Sequence, residues 1–186
     1  DMSVDAVVDF MKILKIPVIS GKDSLSSTYR GEDGFILKIP PVLCISAFGK
    51  IPNVEKTTSA DFKKAESTIC LVGKPDITSM GGSAYFDKNN LLGNSVPKVD
   101  LKLLPKVLDA IHLGITKGQI LSCHDVSEGG VITAIFEMSV GGNMGAKINI
   151  GKKHQRTDYF LFNETAGCFI VEVANKSTAQ KLFKNI

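Results

Sequence analysis

Apolar residues recur along the chain with spacings that predict its secondary structure. A helical spacing from Val4 to Leu14 predicts a helix, with Ser3 as a possible N-cap. Mainly apolar runs at 16–20 and 42–48 predict buried strands. The polar stretch 26–34 between these runs predicts a hairpin or a loop.

A longer series of elements is predicted after residue 67. The apolar pattern predicts strands at 68–72, 120–123, 146–150 and 168–173, and helices at 104–115, at 131–140 and behind a capping Ser177. This order is typical of an α+β fold with helices on one face of a mixed sheet. The polar segment 54–67 before it predicts a linker between two domains.

The segment 121–130 places charged and hydroxyl groups where a predicted strand meets a predicted helix. His124, Asp125 and Ser127 follow the strand, and Gly129-Gly130 opens the helix. The carboxylate can bind Mg²⁺, and the hydroxyl and the first free helix amides can face phosphate oxygens. Taken alone, the segment favours a simpler interpretation, in which Ser127 is an ordinary N-cap and the glycines form a turn.

A second turn of this kind, Gly21-Lys22-Asp23-Ser24, follows the predicted strand 16–20. It is not a P-loop, because Ile16 and Asp23 stand where that motif needs a glycine and a Ser or Thr. Lys22 can neutralise phosphate, Asp23 can hold a metal, and the Gly21 and Ser24 amides can complete an anion nest. A surface turn in which Asp23 bonds its own backbone is an equally good interpretation.

Composition and charge exclude several classes of protein. The 186 residues are 44% hydrophobic and 22% charged, as in one or two compact domains, and a net charge of +3 does not indicate nucleic-acid binding. No apolar run approaches the ~20 residues of a membrane span. The four cysteines lack Cys-x-x-Cys spacing and lie in apolar runs, which predicts buried, reduced thiols in a cytoplasmic protein rather than disulfides or a zinc site.

Two further side chains allow competing interpretations. Cys123 and His124 are neighbours on a predicted strand and therefore point to opposite faces, so we reject them as a nucleophile and base. Glu164 is the remaining acidic residue of interest, and the favoured interpretation is a turn carboxylate that pairs with a nearby Lys or Arg.

Five blocks of the sequence together resemble the phosphoribosylformylglycinamidine synthase family. They are Ile-Pro-Val-Ile-Ser-Gly-Lys-Asp-Ser-Leu-Ser (16–26), Pro-Pro-Val-Leu-Cys-Ile-Ser-Ala-Phe-Gly-Lys-Ile-Pro (40–52), Met-Gly-Gly-Ser-Ala-Tyr (80–85), His-Asp-Val-Ser-Glu-Gly-Gly (124–130) and Leu-Phe-Asn-Glu-Thr-Ala-Gly-Cys (161–168). Their order and separation are also similar, and the resemblance spans nearly the whole chain. The Gly-Lys-Asp-Ser turn is more similar to the long, single-chain form of the enzyme.

The resemblance implies a PurM-like fold from the second half of the synthetase region. Residues 1–53 would be the tail of an N-terminal α/β domain, 54–67 the linker, and 68–186 a C-terminal α+β domain with helices packed on a mixed sheet. Both ends of the chain fall within helical patterns, so we expect a fragment of a longer protein that is inactive alone.

The activity implied by the resemblance is that of an ATP-dependent C–N ligase in purine biosynthesis. It converts formylglycinamide ribonucleotide, with ATP and glutamine-derived ammonia, to formylglycinamidine ribonucleotide. The implied cofactors are Mg²⁺ and ATP or ADP, and the implied partner is the remainder of the protein's own chain, including a glutaminase domain. Two alternatives are a non-catalytic module that holds a structural Mg-ADP and another PurM-superfamily synthetase such as selenophosphate synthetase.

The resemblance also implies roles for individual residues. Asp125 matches a residue that binds Mg²⁺ in the family, and Ser127 matches one that contacts the nucleotide. Gly21 and Ser24 match the glycine and the serine of a block that contributes to nucleotide, metal and substrate binding in the small form. Lys22 replaces a metal-binding Asn of the small form, so either Asp23 takes over that ligation or Lys22 contacts phosphate. No catalytic residue is expected, because the family's catalytic histidine and glutaminase cysteine lie outside this chain.

Overall fold

The computed structural model describes residues 2–23, 28–38, 40, 42–150 and 156–186. The chain divides into two compact units, Asp1–Pro52 and Asn53–Ile186. Among the described residues, no helix combines the length and the apolar character needed to cross a lipid bilayer.

Among its described residues, the first unit contains one helix and one hairpin. Helix α1 spans Met2–Leu14, and strands β1 (Thr28–Arg30) and β2 (Ile36–Lys38) pair antiparallel. The hairpin closes at Gly34, whose φ of +80° suits glycine, and Gly31 N donates to Phe35 O at 2.8 Å. The predicted helix and hairpin are therefore confirmed.

The two strands predicted for the first unit are wrong. Residues 16–20 and 42–48 are irregular, and their apolar side chains are exposed, as Val18 (63%), Val42 (68%) and Phe48 (87%) show. A strand forms where a neighbouring strand binds its backbone and a core covers one of its faces. Within the described part of this unit, the only sheet is the β1–β2 hairpin, so neither run gains a partner strand.

The second unit contains three strands and five α-helices among its described residues. In chain order they are β3 (Thr68–Val72), α2 (Ala84–Lys88), α3 (Leu104–Thr116), β4 (Ile120–Asp125), α4 (Gly130–Gly142), α5 (Thr157–Leu161), β5 (Phe169–Val173) and α6 (Lys176–Leu182). The strands predicted at 68–72, 120–123 and 168–173 are confirmed, as are the helices predicted at 104–115 and 131–140.

The sheet is antiparallel and lies between two layers of helices. Its order is β3-β5-β4, and β5 pairs antiparallel with both neighbours. On β5, Ile170 packs in the cluster with α4, whereas Val171 and Val173 pack in the cluster with α3 and α6. The α+β class is confirmed, but a mixed sheet is wrong, because β5 pairs antiparallel with both β3 and β4. Helices on one face is also wrong, because Ile170 is buried on one face of β5 and Val171 and Val173 on the other.

Two further local predictions are wrong. Residues 146–150 form no strand, and Ala146 to Asn149 are exposed rather than half-buried. The N-cap of α6 is Asn175 instead of Ser177, because Asn175 Oδ1 accepts a hydrogen bond from Thr178 N at 3.0 Å.

The segment predicted as a linker, 54–67, is part of the second unit and packs against its sheet. Phe62 is buried in the cluster with α4. Thr58 Oγ1 donates to Leu121 O at 2.6 Å, and Cys123 N donates to Ser59 O at 3.3 Å. These two contacts occupy backbone groups of β4, so residues 58–62 belong structurally to the sheet and its core.

A fully buried carboxylate fixes the same segment to the central strand. Glu172 of β5 accepts hydrogen bonds from Lys63 N (2.8 Å), Lys64 N (3.0 Å), Ser67 Oγ (2.7 Å) and Ser122 Oγ (2.8 Å). A buried charge is tolerated when donors satisfy its oxygens in this way. Residues 63–67 are therefore attached to the sheet by hydrogen bonds to the Glu172 side chain and not by backbone pairing with a strand.

We expect Glu172→Ala to lower the free energy of unfolding by about 3 kcal/mol or more, because two amides and two hydroxyls lose their buried acceptor. Urea denaturation measures this change. Lys64→Ala is the matched control, because Lys64 binds through its backbone amide and its side chain is exposed. Equal stability of the two variants would contradict the role of Glu172.

Candidate functional site

The loop between β4 and α4 presents two polar side chains to solvent. Val126 is buried, and its amide donates to Cys168 O at 2.8 Å, which fixes the loop to the end of β5. Its neighbours Asp125 and Ser127 are exposed, and the Asp125 side chain is 64% accessible. The structure therefore brings the predicted metal ligand and the predicted nucleotide contact together on one anchored loop.

The start of α4 differs from both interpretations of the sequence. Gly129, with φ +81°, is the N-cap, so Ser127 is not. Gly129 N donates to Glu164 Oε1 at 2.8 Å, and Gly130 N donates to Ser127 O at 3.0 Å. The expectation that the first helix amides are free for phosphate is wrong for these two, because acceptors of the protein occupy them.

Glu164 joins the first turns of two helices. Its Oε1 accepts from Gly129 N and also from Ala84 N at 2.9 Å, where α2 begins. A carboxylate is stabilised at such positions by the partial positive charge of the helix amides. Pairing with a Lys or Arg is therefore the wrong interpretation of Glu164, since the contacts it makes here are with backbone amides.

The residues on both sides of Glu164 fix the loop that leads to α2. Asn163 is fully buried, and its Nδ2 donates to Asp76 O (2.9 Å) and Ser79 O (3.2 Å). Thr165 Oγ1 accepts from Asp76 N at 2.8 Å and itself donates to Asn163 Oδ1. We call the contacts of Asn163, Glu164 and Thr165 with residues 76–84 and Gly129 the 163–165 junction.

Glycine is required at the start of α4 because the backbone of the junction passes close to it. A Cβ on Gly130 would lie 2.5 Å from Phe162 C and 2.8 Å from Asn163 N, and Gly130 has φ +77°. The Gly-Gly pair that the sequence places before α4 thus serves helix-to-loop packing.

His124 lies between two carboxylates beside the loop. Its Nδ1 is 2.7 Å from Asp125 O and 3.4 Å from Asp125 Oδ1, and its Nε2 is 3.2 Å from Glu137 Oε2 on α4. Sequence reasoning did not single out Glu137. It lies outside the quoted blocks, and only the fold brings the second turn of α4 over the end of β4.

Cys123 has the character of an inert thiol. Burial, and secondarily the charge of Asp125, raise the pKa of Cys123 to about 11. A thiol of this kind is protonated at neutral pH and is a poor nucleophile. This supports the rejection of Cys123 and His124 as a catalytic pair.

The second predicted segment lies in the other unit. Gly21, Lys22 and Asp23 are exposed in irregular backbone, and Lys22 Nζ donates to Asp23 O at 2.7 Å. Ser24 lies outside the described residues. The anion nest formed with the Ser24 amide therefore stays a prediction.

Asp125 is suited to be one ligand of a metal and not a complete site. Mg²⁺ prefers six oxygen ligands, some of them water, and commonly takes one or two from carboxylates. In the part of the chain that the structure describes, no three His, Cys, Asp or Glu side chains cluster in a way that could hold a metal. An exposed carboxylate at a fixed strand end is consistent with ligation that other groups complete.

Gly130→Ala should destabilise the chain by about 3 kcal/mol or more, because the new methyl group meets backbone atoms that cannot move aside alone. Gly118→Ala is the control, since Gly118 also has a positive φ (+64°) but open space around it, and it should cost about 1 kcal/mol. Urea denaturation compares the two. If both variants lost the same free energy of unfolding, the close approach of residues 162–163 to Gly130 would not contribute to the cost of Gly130→Ala.

Alkylation by iodoacetamide at pH 7.5 should spare Cys123 and modify the exposed Cys44. With a pKa near 11, well under one part in a hundred of Cys123 is thiolate at that pH. Peptide mass spectrometry over a time course measures both sites. Labelling of Cys123 as fast as Cys44 would contradict the inert thiol.

Comparison with known proteins identifies relatives of this chain. The family model for AIR synthase related protein, C-terminal domain, matches residues 64–185. The chain is 30% identical over 174 residues to phosphoribosylformylglycinamidine synthase subunit PurL of Synechocystis, and 34% identical over 172 residues to the same subunit of Thermoplasma volcanium. These alignments cover 93% and 92% of this chain but 23% and 22% of the relatives, so the chain spans less than a quarter of their length.

Solved structures of PurL from Thermotoga maritima share the fold. The protein complexed with FGAR matches with a TM-score of 0.61 at 14% identity, over 97% of this chain and 30% of that one. The protein complexed with AMPPCP matches with a TM-score of 0.60 at 14% identity, over 97% and 28%.

The resemblance to phosphoribosylformylglycinamidine synthase is confirmed by these curated relatives. They are PurL subunits, so the assignment to the long, single-chain form and to its second half stays a prediction. The PurM-like α+β fold is confirmed by the family model and by the solved structures. The chain belongs to the family of AIR synthase related proteins, whose C-terminal domain it carries over residues 64–185.

Proposed function

We propose that this chain is part of the synthetase region of a phosphoribosylformylglycinamidine synthase, in which 1–53 ends an N-terminal domain and 68–186 forms a C-terminal domain. The whole protein would be a cytoplasmic, ATP-dependent C–N ligase that converts formylglycinamide ribonucleotide with glutamine-derived ammonia. Identity of 30% and 34% over more than nine tenths of the chain supports this proposal. It also favours this family over selenophosphate synthetase.

Within that enzyme, Asp125 would bind Mg²⁺ and Ser127 would contact the nucleotide. The observation that carries this role is the exposure of both side chains on a loop fixed by Val126 on one side and Glu164 on the other. A fixed backbone lowers the entropy lost when a side chain binds a ligand. PurL of Thermotoga maritima has been solved with AMPPCP and with ATP, which supports a nucleotide as the ligand.

The hydrogen bonds at the start of α4 limit which groups of this loop could bind a phosphate. Mg²⁺, when bound, neutralises charge on a transferring phosphoryl group. Asp125 would hold one side of the ion, and the Ser127 hydroxyl would donate to a phosphate oxygen. The amides of Gly129 and Gly130 are already bonded within the protein, so phosphate binding would depend on side chains more than on the helix start.

The segment 21–24 of the first unit would contact nucleotide or substrate. Lys22 can meet phosphate, or Asp23 can serve as a metal ligand, with Gly21 and Ser24 beside them. The formylglycinamide ribonucleotide site and the glutaminase domain would be completed by the remainder of the protein. We expect no activity from this chain in isolation, because it spans less than a quarter of the length of its relatives.

A second candidate is a module that holds Mg-ADP without turning it over. One observation supports it: the exposed Asp125 carboxylate at the end of β4 can reach a nucleotide-bound ion. A single carboxylate can retain a nucleotide-bound ion while contributing little to phosphoryl transfer.

Asp125→Ala in the full-length enzyme distinguishes the two. If the site is catalytic, turnover per folded molecule should fall at least about 10-fold at limiting Mg²⁺, because a ligand of the ion is lost. If the site is structural, the variant should lose ADP and melt at a lower temperature while its turnover is preserved. Unchanged turnover, melting temperature and ADP content would contradict both candidates, and Asp109→Ala, an exposed Asp on α3, is the control.

A further inference from the structure

The imidazole of His124 bridges the end of β4 and the second turn of α4. Its Nδ1 lies 2.7 Å from Asp125 O and 3.4 Å from Asp125 Oδ1. Its Nε2 lies 3.2 Å from Glu137 Oε2. A carbonyl or an ionised carboxylate only accepts hydrogen bonds, and a neutral imidazole has one N–H to donate, so which partner receives it depends on the tautomer. In either case, oxygen atoms lie against both ring nitrogens and limit the orientation of the ring.

The imidazole of His124 is less exposed to solvent than the two carboxylates beside it. The side chains of Glu137 and Asp125 are 56% and 64% exposed, whereas that of His124 is 19% exposed. The ring is therefore packed in place, and it contacts both the backbone carbonyl and the carboxylate of Asp125. An exposed Asp without such a neighbour would sample several rotamers before it met an ion.

We propose that Glu137 and His124 are positioning residues that set the geometry of Asp125 as a metal ligand. Glu137 contacts the ring at Nε2, and the ring in turn lies against the carbonyl and the carboxylate of Asp125, which limits the range of that carboxylate. This inference rests on the proposed function, because it needs Asp125 to ligate Mg²⁺. Partners of this kind, one step removed from the ion, typically change metal affinity 10–100-fold.

Three contacts hold the loop between β4 and α4, and they have different roles. Val126 N binds the end of β5, and Glu164 binds the amide of Gly129. These two contacts fix the path of the loop. The contacts of His124 are the ones that reach Asp125 itself, so loss of Glu137 should change ligand geometry more than stability.

The test measures how Mg²⁺ affects ADP binding to the full-length protein by isothermal titration calorimetry. In Glu137→Ala, we expect the Mg²⁺ concentration for half-maximal effect to rise roughly 10-fold. The ADP affinity without Mg²⁺ should stay within about twofold, since Glu137 would act only through the ion. Glu137→Gln should show a smaller rise, because the Gln amide can still hydrogen-bond Nε2 as donor or acceptor. Glu128→Ala, an exposed carboxylate in the same loop, is the charge control and should stay within about threefold.

A double-mutant cycle tests whether Glu137 acts through His124. We expect Glu137→Ala to have no further effect in a His124→Ala background, because the contact it supports is already gone. A loss of melting temperature in Glu137→Ala with an unchanged Mg²⁺ requirement would overturn the proposal, because the pair would then be a structural contact only. Full additivity of the two single changes would also overturn it.

Asp125→Ala separates failure of this inference from failure of the proposed function. If Asp125→Ala leaves the Mg²⁺ requirement unchanged, the ligand role of Asp125 is wrong and this inference falls with it. If Asp125→Ala raises the requirement but Glu137→Ala does not, Asp125 is a ligand and the positioning role alone is wrong. In the Asp125→Ala background, Glu137→Ala should have no further effect on Mg²⁺.

Discussion

The carboxylate of Glu164 is shared between Ala84 N and Gly129 N, and the candidate site depends on this contact. It joins the starts of α2 and α4, two helices that the chain reaches by separate loops. A side chain that accepts from two helix amides is favoured by their partial charges as well as by the hydrogen bonds. Asp125 and Ser127 precede Gly129 in the same short loop, so the bond from the Gly129 amide to Glu164 helps to fix their positions.

Three of the five blocks of family resemblance meet at the 163–165 junction. The block 161–168 supplies the acceptors and donors, the block 80–85 includes the amide at α2, and the block 124–130 includes the amide at α4. Gly130 permits the close approach that this requires. The junction therefore gives a physical reason why these sequence blocks occur together in one fold.

Buried or half-buried carboxylates fix irregular segments twice in the second unit. Glu164 binds helix starts, and Glu172 binds the amides of Lys63 and Lys64 from the central strand. In both places an acidic side chain occupies backbone amides that no strand or helix satisfies. Each contact is costly to remove, because the amides left behind lose their acceptor.

Secondary structure could be predicted from the sequence wherever burial of one face makes apolar residues recur at a regular spacing. The strands β3, β4 and β5 and the helices α3 and α4 follow such patterns, and Asp125 and Ser127 were correctly expected at one loop. The apolar runs 16–20, 42–48 and 146–150 have strand composition, but strand formation depends on partners that no local pattern specifies. Glu164 and Glu172 were misinterpreted or overlooked for the same reason, since their donors lie far away in the chain.

The most direct test of a magnesium-nucleotide role is a crystal structure of the full-length protein grown with Mn²⁺ and ADP. Anomalous scattering would locate the metal independently of the surrounding density. The account predicts Mn²⁺ at about 2.2 Å from a carboxylate oxygen of Asp125, with a phosphate oxygen in reach of the Ser127 hydroxyl. A metal and nucleotide bound elsewhere, with Asp125 surrounded by water, would contradict it.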